Sequence, residues 1–139
     1  LGYGDNTKAT LITRGIAEIS RLGAAMGANV MTFAGLSGIG DLIATCASMH
    51  SRNRRAGILI GQGKSTHEAM DEVGMVVEGV YAAKSTSAVA KKFGVEMPIV
   101  NEVNAILFEK KTAKQAMSDL MLRDNIIEIS NIPWPEEDM

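Results

Sequence analysis

The chain has 139 residues, a length that suits one compact domain of ordinary size and leaves no room for two. Its net charge of −2, with 22% charged residues, gives no electrostatic basis for binding nucleic acid or an anionic membrane. A single cysteine excludes an intrachain disulfide, no apolar run approaches the roughly 20 residues that span a bilayer, and no signal-peptide pattern is present, so we expect a cytoplasmic domain.

The first predicted element is a long amphipathic helix from Thr7 to Met26. Arg14 and Glu18 have the i,i+4 spacing of an ion pair, which predicts that both lie on its outer face. Gly15 and Gly23 each cost a helix about 1 kcal/mol relative to Ala, so we expect them to admit close packing of a neighbouring segment. The apolar residues recur at helical spacing at Leu11, Ile12, Ile16, Ile19, Leu22 and Met26.

A glycine-rich segment between Phe33 and Asp41 then interrupts the helical pattern. Asp41 stands before a short apolar run that ends at Cys46, an order that predicts an N-cap aspartate followed by a short buried helix. The thiol of Cys46 is accordingly expected to be buried and inert. Farther along, Ser51 is predicted to cap a helix that ends at Gly61-Gln-Gly63.

Four more helices are predicted from their caps and breaks. Ser65-Thr-His-Glu68 and Thr112-Ala-Lys-Gln115 both have the spacing of a capping box. An amphipathic run from Val80 to Phe93 is ended by Gly94, and Pro98 suits the first turn of the helix that follows.

These elements predict an all-α fold, a compact bundle of six or seven helices over residues 1–130. Only 4% of residues are aromatic, whereas nine are Met, a composition that favours close helix packing through small and flexible side chains. Residues 126–129 are the nearest approach to a strand. The proline-containing and acidic residues 131–139 are expected to form a flexible tail.

The polar cluster from Ser51 to Arg55 is the main candidate site. It begins a helix, where backbone N–H groups and the helix dipole favour an anion. Arg52 offers a planar, bidentate donor for phosphate or carboxylate, and Asn53 can hydrogen-bond a hydroxyl or amide. From the residues alone, a solvated basic patch is the favoured interpretation of the cluster. Nucleic-acid binding is a weaker alternative because the cluster lacks interleaved aromatic residues.

Other polar residues carry two interpretations each. The Asp41 carboxylate could accept a hydrogen bond from a substrate hydroxyl or position a lysine, but it could also be a helix cap. Glu78, taken alone, is a carboxylate favoured at a helix start. His50 and His67 have no spacing that would form a metal site with one cysteine, so no metal is predicted. Gly38-Ile-Gly40 follows no strand and is not a dinucleotide-binding fingerprint.

Six short motifs follow one another along the chain: Asn6–Gly15, Thr32–Leu42, Thr45-Cys46, Ser51–Asn53, Gly61–Gly63 and Val76–Gly79. In this order they resemble the motifs of bacterial NAD(P)-dependent glycerol-3-phosphate dehydrogenases. The resemblance runs from Leu1 to about Leu122 and is more specific than any one motif.

The resemblance implies that an N-terminal Rossmann domain is absent from this chain and that the active site lies between the two halves. The helical half would resemble the C-terminal domain of 6-phosphogluconate dehydrogenase-like enzymes. The implied reaction is hydride transfer between NAD or NADP and the pair dihydroxyacetone phosphate and sn-glycerol 3-phosphate. The reaction would feed glycerophospholipid synthesis, and the enzyme would be a cytoplasmic homodimer.

By the same resemblance, residues in two motifs would bind the substrate. Arg52 and Asn53 would bind its phosphate, with Ser51 beside them. Asp41 and Thr45 would line the glycerol end, where Asp41 could orient the proton-transferring lysine.

Three residues would contact the cofactor by the same resemblance: Arg52, Val76 and Glu78. The family's catalytic lysine lies upstream of Leu1, so no catalytic residue is assigned within the chain. Because the chain also begins without Met, we expect it to be a piece of a longer protein and to be inactive alone. The face lined by Asp41 and Arg52 would then be exposed and could promote self-association.

Two other classes of function remain as alternatives. The first is the helical half of another two-domain enzyme, such as a hydroxyacid or sugar-acid dehydrogenase, which would keep the fold and lack the phosphate requirement. The second is a helical interaction or nucleic-acid module that uses the cluster from Ser51 to Arg55. Steeply salt-dependent binding to DNA or RNA would support the second alternative.

Overall fold

The computed structural model describes residues 1–123, and this part of the chain contains helices and no strand. A 3₁₀ turn at Val30–Ala34 and a π-helical turn at Leu36–Gly40 separate the first two α-helices. The all-α prediction is confirmed, whereas the predictions for residues 126–129 and 131–139 concern positions outside the described residues. The α-helices are α1 (Asp5–Ala25), α2 (Asp41–Ala47), α3 (Arg52–Gly61), α4 (Thr66–Val73), α5 (Glu78–Phe93), α6 (Pro98–Phe108) and α7 (Ala113–Leu122).

The starts of α3, α4 and α7 and the ends of α4 and α5 lie where the sequence pattern predicts them. Ser51 accepts a backbone hydrogen bond of 3.3 Å at the start of α3, and Ser65 and Thr112 each form a complete capping box. Gly74 and Gly94 end α4 and α5 with φ of 67° and 65°, the left-handed region that favours glycine. Each of these signals depends only on residues within one helical turn, so the sequence pattern suffices to predict it.

The two glycines inside α1 both lie under neighbouring side chains. A Cβ atom on Gly23 would lie 2.2 Å from Cζ of Phe33, so the ring occupies the space that a side chain would need. A Cβ atom on Gly15 would lie 3.8 Å from Cδ2 of Leu42, an ordinary contact. The predicted close packing is therefore confirmed at Gly23, while the position of Gly15 would also accept alanine.

Glu18 does not lie on the outer face of α1, so that prediction is wrong. Glu18 is only 3% exposed. Its Oε1 and Oε2 accept hydrogen bonds from the backbone N–H groups of Ile99 (2.7 Å) and Val100 (3.4 Å). These donors belong to the first turn of α6, whose N-cap residue, Met97, makes no side-chain capping bond. The Glu18 carboxylate, which belongs to α1, therefore caps α6, and this contact places Glu18 in the interior.

The hydrophobic core that positions the candidate site joins α3, α4 and α5. Val77, the N-cap residue of α5, is 2% exposed and fixes the start of that helix against α3. As a result, the first turn of α5 lies beside the first turn of α3. The buried residues of this cluster are Ala56, Val73, Val77 and Val80, with Leu59, Met70 and Leu107 packed against them.

Two predictions about α2 are wrong. Asp41 is the first residue of α2 rather than its N-cap, because Gly40 already has helical angles (φ −61°, ψ −50°) and the π-helical turn runs directly into the helix. The helix is also exposed, with 47% of Ile43 accessible, and Cys46 is exposed as well. Neighbouring atoms still raise the pKa of the Cys46 thiol by desolvation, an effect that Arg54 opposes.

Candidate functional site

An open cleft of about 420 Å³ lies where the end of α2, the start of α3 and the start of α5 meet. Its volume falls within the range of roughly 300–1,000 Å³ that small-molecule sites occupy. The cleft brings together residues that three separate motifs supply. Its lining residues are Ala44, Thr45, Ser48, His50, Ser51, Arg52, Asn53 and Glu78.

The start of α3 brings to the cleft the groups that favour an anion. Ser51 caps the helix, and the first backbone N–H groups of any α-helix have no acceptor within it. Arg52 is the first residue of α3 and lies exposed at the cleft. The N–H groups, the positive end of the helix dipole and the guanidinium group together favour a bound anion.

The three arginines of the cluster have different surroundings. The Arg54 guanidinium donates a hydrogen bond to the carbonyl oxygen of Ala47, which ties α3 to the end of α2. Arg55 is exposed but is not among the residues that line the cleft. Arg52 is therefore the arginine of this cluster that is placed to meet a ligand in the cleft.

Asn53 joins the cleft to the start of α5. Its side-chain Oδ1 accepts the backbone N–H of Gly79 at 2.9 Å. Val77, the N-cap of α5, makes no side-chain capping bond. Asn53, which belongs to α3, provides the capping hydrogen bond instead. The bond occupies the acceptor end of the carboxamide, and the Nδ2 group remains as the donor end.

Glu78 places a carboxylate on the wall of the cleft formed by α5. It is the first residue of that helix, where the helix dipole favours a negative charge. The cleft therefore contains both a cation, Arg52, and an anion, Glu78. A ligand with one anionic group and separate hydroxyl or amide donors matches this distribution of charge.

Two predicted site residues do not line the cleft. Asp41 lies one helical turn before Thr45 on α2, so the two share a face of the helix, but only Thr45 lines the cleft. Val76 is 54% exposed and lies two residues before α5, next to the buried Val77. The structure thus brings together Thr45, Ser51, Arg52, Asn53 and Glu78.

The sequence interpretation did not include three lining residues: Ala44, Ser48 and His50. His50 is exposed in the α2–α3 connection and borders the cleft. All three lie between neighbouring motifs of the six. Their position between motifs could have indicated that they line the cleft, because a short connection between two site segments must pass close to the site.

Within residues 1–123, no group of three His, Cys, Asp or Glu side chains could hold a metal ion. Across the same residues, none of the helices combines the length and the apolar character needed to cross a membrane.

The family model described as NAD-dependent glycerol-3-phosphate dehydrogenase C-terminus matches residues 1–118, which include the whole cleft. The chain belongs to this family. The resemblance inferred from the order of six motifs is thereby confirmed.

Curated relatives of this dehydrogenase C-terminal domain are closely similar to it. The chain is 65% identical over 131 residues to the glycerol-3-phosphate dehydrogenase [NAD(P)+] of Fusobacterium nucleatum, covering 94% of the chain and 39% of that protein. It is 64% identical over 134 residues to the enzyme of the same name from Agathobacter rectalis, covering 96% of the chain and 40% of that protein. The chain therefore spans about two fifths of the length of these relatives.

A solved structure supports the same fold for the dehydrogenase C-terminal domain. The crystal structure of glycerol-3-phosphate dehydrogenase from Coxiella burnetii matches with a TM-score of 0.84 and 41% identity. The match covers 86% of this chain and 37% of that one. The all-helical fold predicted from sequence is confirmed by this comparison as well.

Proposed function

We propose that this chain is the substrate-binding domain of an NAD(P)-dependent enzyme that interconverts dihydroxyacetone phosphate and sn-glycerol 3-phosphate. The observation that carries the proposal is the cleft at the start of α3, where Arg52 lies beside a capped helix N-terminus, an arrangement that favours an anion. The names of relatives 64–65% identical over nearly the whole chain support this substrate. The remainder of the enzyme would supply the Rossmann domain.

The phosphate group would bind at the first turn of α3. Arg52 would form a bidentate pair with two phosphate oxygens, and the Nδ2 group of Asn53 would donate to a third. Ser51 would stand beside them, with its oxygen held by the backbone of α3. This arrangement holds the substrate by its unreactive end and so orients the carbon that reacts.

The glycerol end would face α2. Thr45 lines the cleft and can hydrogen-bond a substrate hydroxyl. Asp41, one turn away on the same helix, would act on the lysine that the other half of the enzyme provides. A carboxylate near that lysine would hold its ammonium group in position for proton transfer.

The cofactor would meet this domain only at the edge of the cleft. NAD or NADP would supply or accept the hydride when bound, with most of its contacts in the Rossmann domain. The residues present fit such an edge contact: Val76 offers exposed apolar surface, and Glu78 and Arg52 offer an acceptor and donors for the nicotinamide amide or ribose. We further propose a homodimer in the cytoplasm that feeds glycerophospholipid synthesis.

The proposal is tested by joining the chain to the part of the Fusobacterium nucleatum relative that it does not cover, and by measuring NAD(P)H oxidation with dihydroxyacetone phosphate. Replacing Arg52 by Ala should lower kcat/KM about a hundredfold, because two charge-assisted hydrogen bonds to phosphate are lost. Arg55→Ala is the matched control, since Arg55 is exposed on the same helix and does not line the cleft. Equal activity of the two variants would refute the proposed phosphate site.

A further inference from the structure

We propose that Gly79 is a positioning residue that sets which end of the Asn53 carboxamide meets the substrate phosphate. The inference rests on the proposed function, since it concerns the same phosphate site. Gly79 lies in the first turn of α5, 26 positions along the chain from Asn53. It does not line the cleft and would act only through its neighbour.

The space beside Gly79 is filled by the tip of the Asn53 side chain. A Cβ atom on Gly79 would lie 2.8 Å from Oδ1, 2.9 Å from Cγ and 3.2 Å from Nδ2 of Asn53. All three are carboxamide atoms, so the amide group of Asn53 occupies the space that a side chain at position 79 would need. This close approach is what allows the Gly79 N–H to donate to Oδ1 at 2.9 Å.

The direction of this hydrogen bond determines the chemistry that Asn53 presents. A backbone N–H can only donate, so of the two carboxamide ends only Oδ1 can face it. The Nδ2 group, with two hydrogens, is then the end left for a ligand. The phosphate dianion of the substrate accepts hydrogen bonds and donates none, so it requires this donor end. Gly79 thus selects the correct orientation of Asn53.

A methyl group at position 79 would be accommodated by moving Asn53 and not the helices. The atoms in the way are the far end of a flexible side chain, whereas the backbone of α5 is fixed by the buried Val77 and Val80. The cost in folding is small for the same reason, and alanine is itself the better helix former. The expected loss is therefore in substrate binding rather than in stability.

The test uses Gly79→Ala in the joined two-domain enzyme. We expect the KM for dihydroxyacetone phosphate to rise about tenfold, the loss of one charge-assisted hydrogen bond. The value of kcat should change little, because phosphate binding is shared by the bound substrate and the transition state. Gly57→Ala is the matched control: Gly57 also lies in a helix, α3, and a Cβ atom there would meet nothing within 4 Å.

A second variant, Asn53→Asp, keeps an acceptor for the Gly79 N–H and removes the donors that would meet phosphate. It should fold like the wild type, with an unchanged melting temperature, and yet raise KM by at least as much as Gly79→Ala. If Asn53→Asp binds the substrate as tightly as the wild type, the donor end of Asn53 has no role. If Gly79→Ala matches Gly57→Ala in KM, Gly79 does not position Asn53.

Titration with inorganic phosphate separates this inference from the proposed reaction. A wild-type enzyme that turns over no dihydroxyacetone phosphate would refute the reaction. Weaker phosphate binding by Gly79→Ala than by Gly57→Ala would still support the positioning role. Equal phosphate binding by the two variants, or none by the wild type, would overturn the role of Gly79.

Discussion

Glu18 and Asn53 each accept a hydrogen bond from a backbone N–H group in the first turn of a helix other than their own. Glu18 reaches from α1 to α6, and Asn53 reaches from α3 to α5. In both cases the N-cap residue of the receiving helix is apolar, Met97 for α6 and Val77 for α5. Neither cap could be predicted from sequence, because the partners lie 81 and 26 positions apart and no local spacing connects them.

Burial of Glu18 makes the stability of the fold depend on pH. Desolvation raises the pKa of its carboxyl group, and this outweighs the two backbone hydrogen bonds and the charges of Arg21 and Arg123, all of which lower it. A raised pKa in the folded state means that folding favours the protonated form. The contribution of Glu18 is therefore fully present at low pH and is lost as the pH rises through its folded pKa.

We expect this effect to appear as a difference between the wild type and Glu18→Gln, which is neutral at every pH. The free energy of unfolding of the wild type, minus that of Glu18→Gln, should fall as the pH rises from about 4 to 7. Urea unfolding at several pH values measures it, with Glu109→Gln, an exposed residue at the end of α6, as the control. A difference that rises with pH would contradict the burial effect.

The segment from Val30 to Ala47 is the element where local pattern and structure differ most. Its glycines were interpreted as a break before a capped, buried helix, and the structure instead has a 3₁₀ turn, a π-helical turn and an exposed α2 in immediate succession. A π-helical turn depends on how the chain packs on itself, and Gly38 packs directly against the backbone of Phe33. Capped helices such as α4 and α7 were predictable because all of their capping atoms lie within four residues.

Gly38 should therefore be the least replaceable glycine of this segment. A Cβ atom there would lie 2.2 Å from the carbonyl oxygen of Phe33 and 2.4 Å from its Cα, backbone atoms that cannot rotate away. Gly38→Ala should lower the free energy of unfolding by an amount on the order of 1–3 kcal/mol. Gly35→Ala is the control, since its Cβ atom would meet only the Thr32 carbonyl oxygen at 3.6 Å. Similar melting temperatures for the two variants would show that the turn adapts.

At the scale of the whole molecule, exposed apolar side chains recur along the segment from Leu36 to Met49, which leads into the candidate site. Leu36 is 91% exposed in the π-helical turn, Ile43 is 47% exposed on α2, and Met49 is 57% exposed in the α2–α3 connection. Exposed patches of this kind mark interaction surfaces. The motif order predicted that Thr45, Ser51, Arg52, Asn53 and Glu78 belong to one site, and these five residues do line one cleft. The position of Asp41 outside the cleft depends on the path of the π-helical turn, which no motif specifies.

We expect the apolar surface around α2 to drive self-association of the chain when it is expressed alone. Size-exclusion chromatography with light scattering should show an apparent mass that rises with concentration. Leu36→Ser should reduce this rise without changing the melting temperature, since Leu36 has almost no packing to lose. Tyr81→Ser, at a position 60% exposed on α5, is the comparison variant. A clean monomer at all concentrations would count against the prediction.

The most direct test of the phosphate site compares two substrates in the joined two-domain enzyme. Values of kcat/KM are measured for dihydroxyacetone phosphate and for unphosphorylated dihydroxyacetone, in the wild type and in Arg52→Ala. If Arg52 binds the phosphate, its removal should reduce the preference for the phosphorylated substrate about a hundredfold, because the contact that Arg52 makes with the cofactor is lost equally for both substrates. A variant that loses activity equally on both substrates would show that Arg52 does not bind the phosphate.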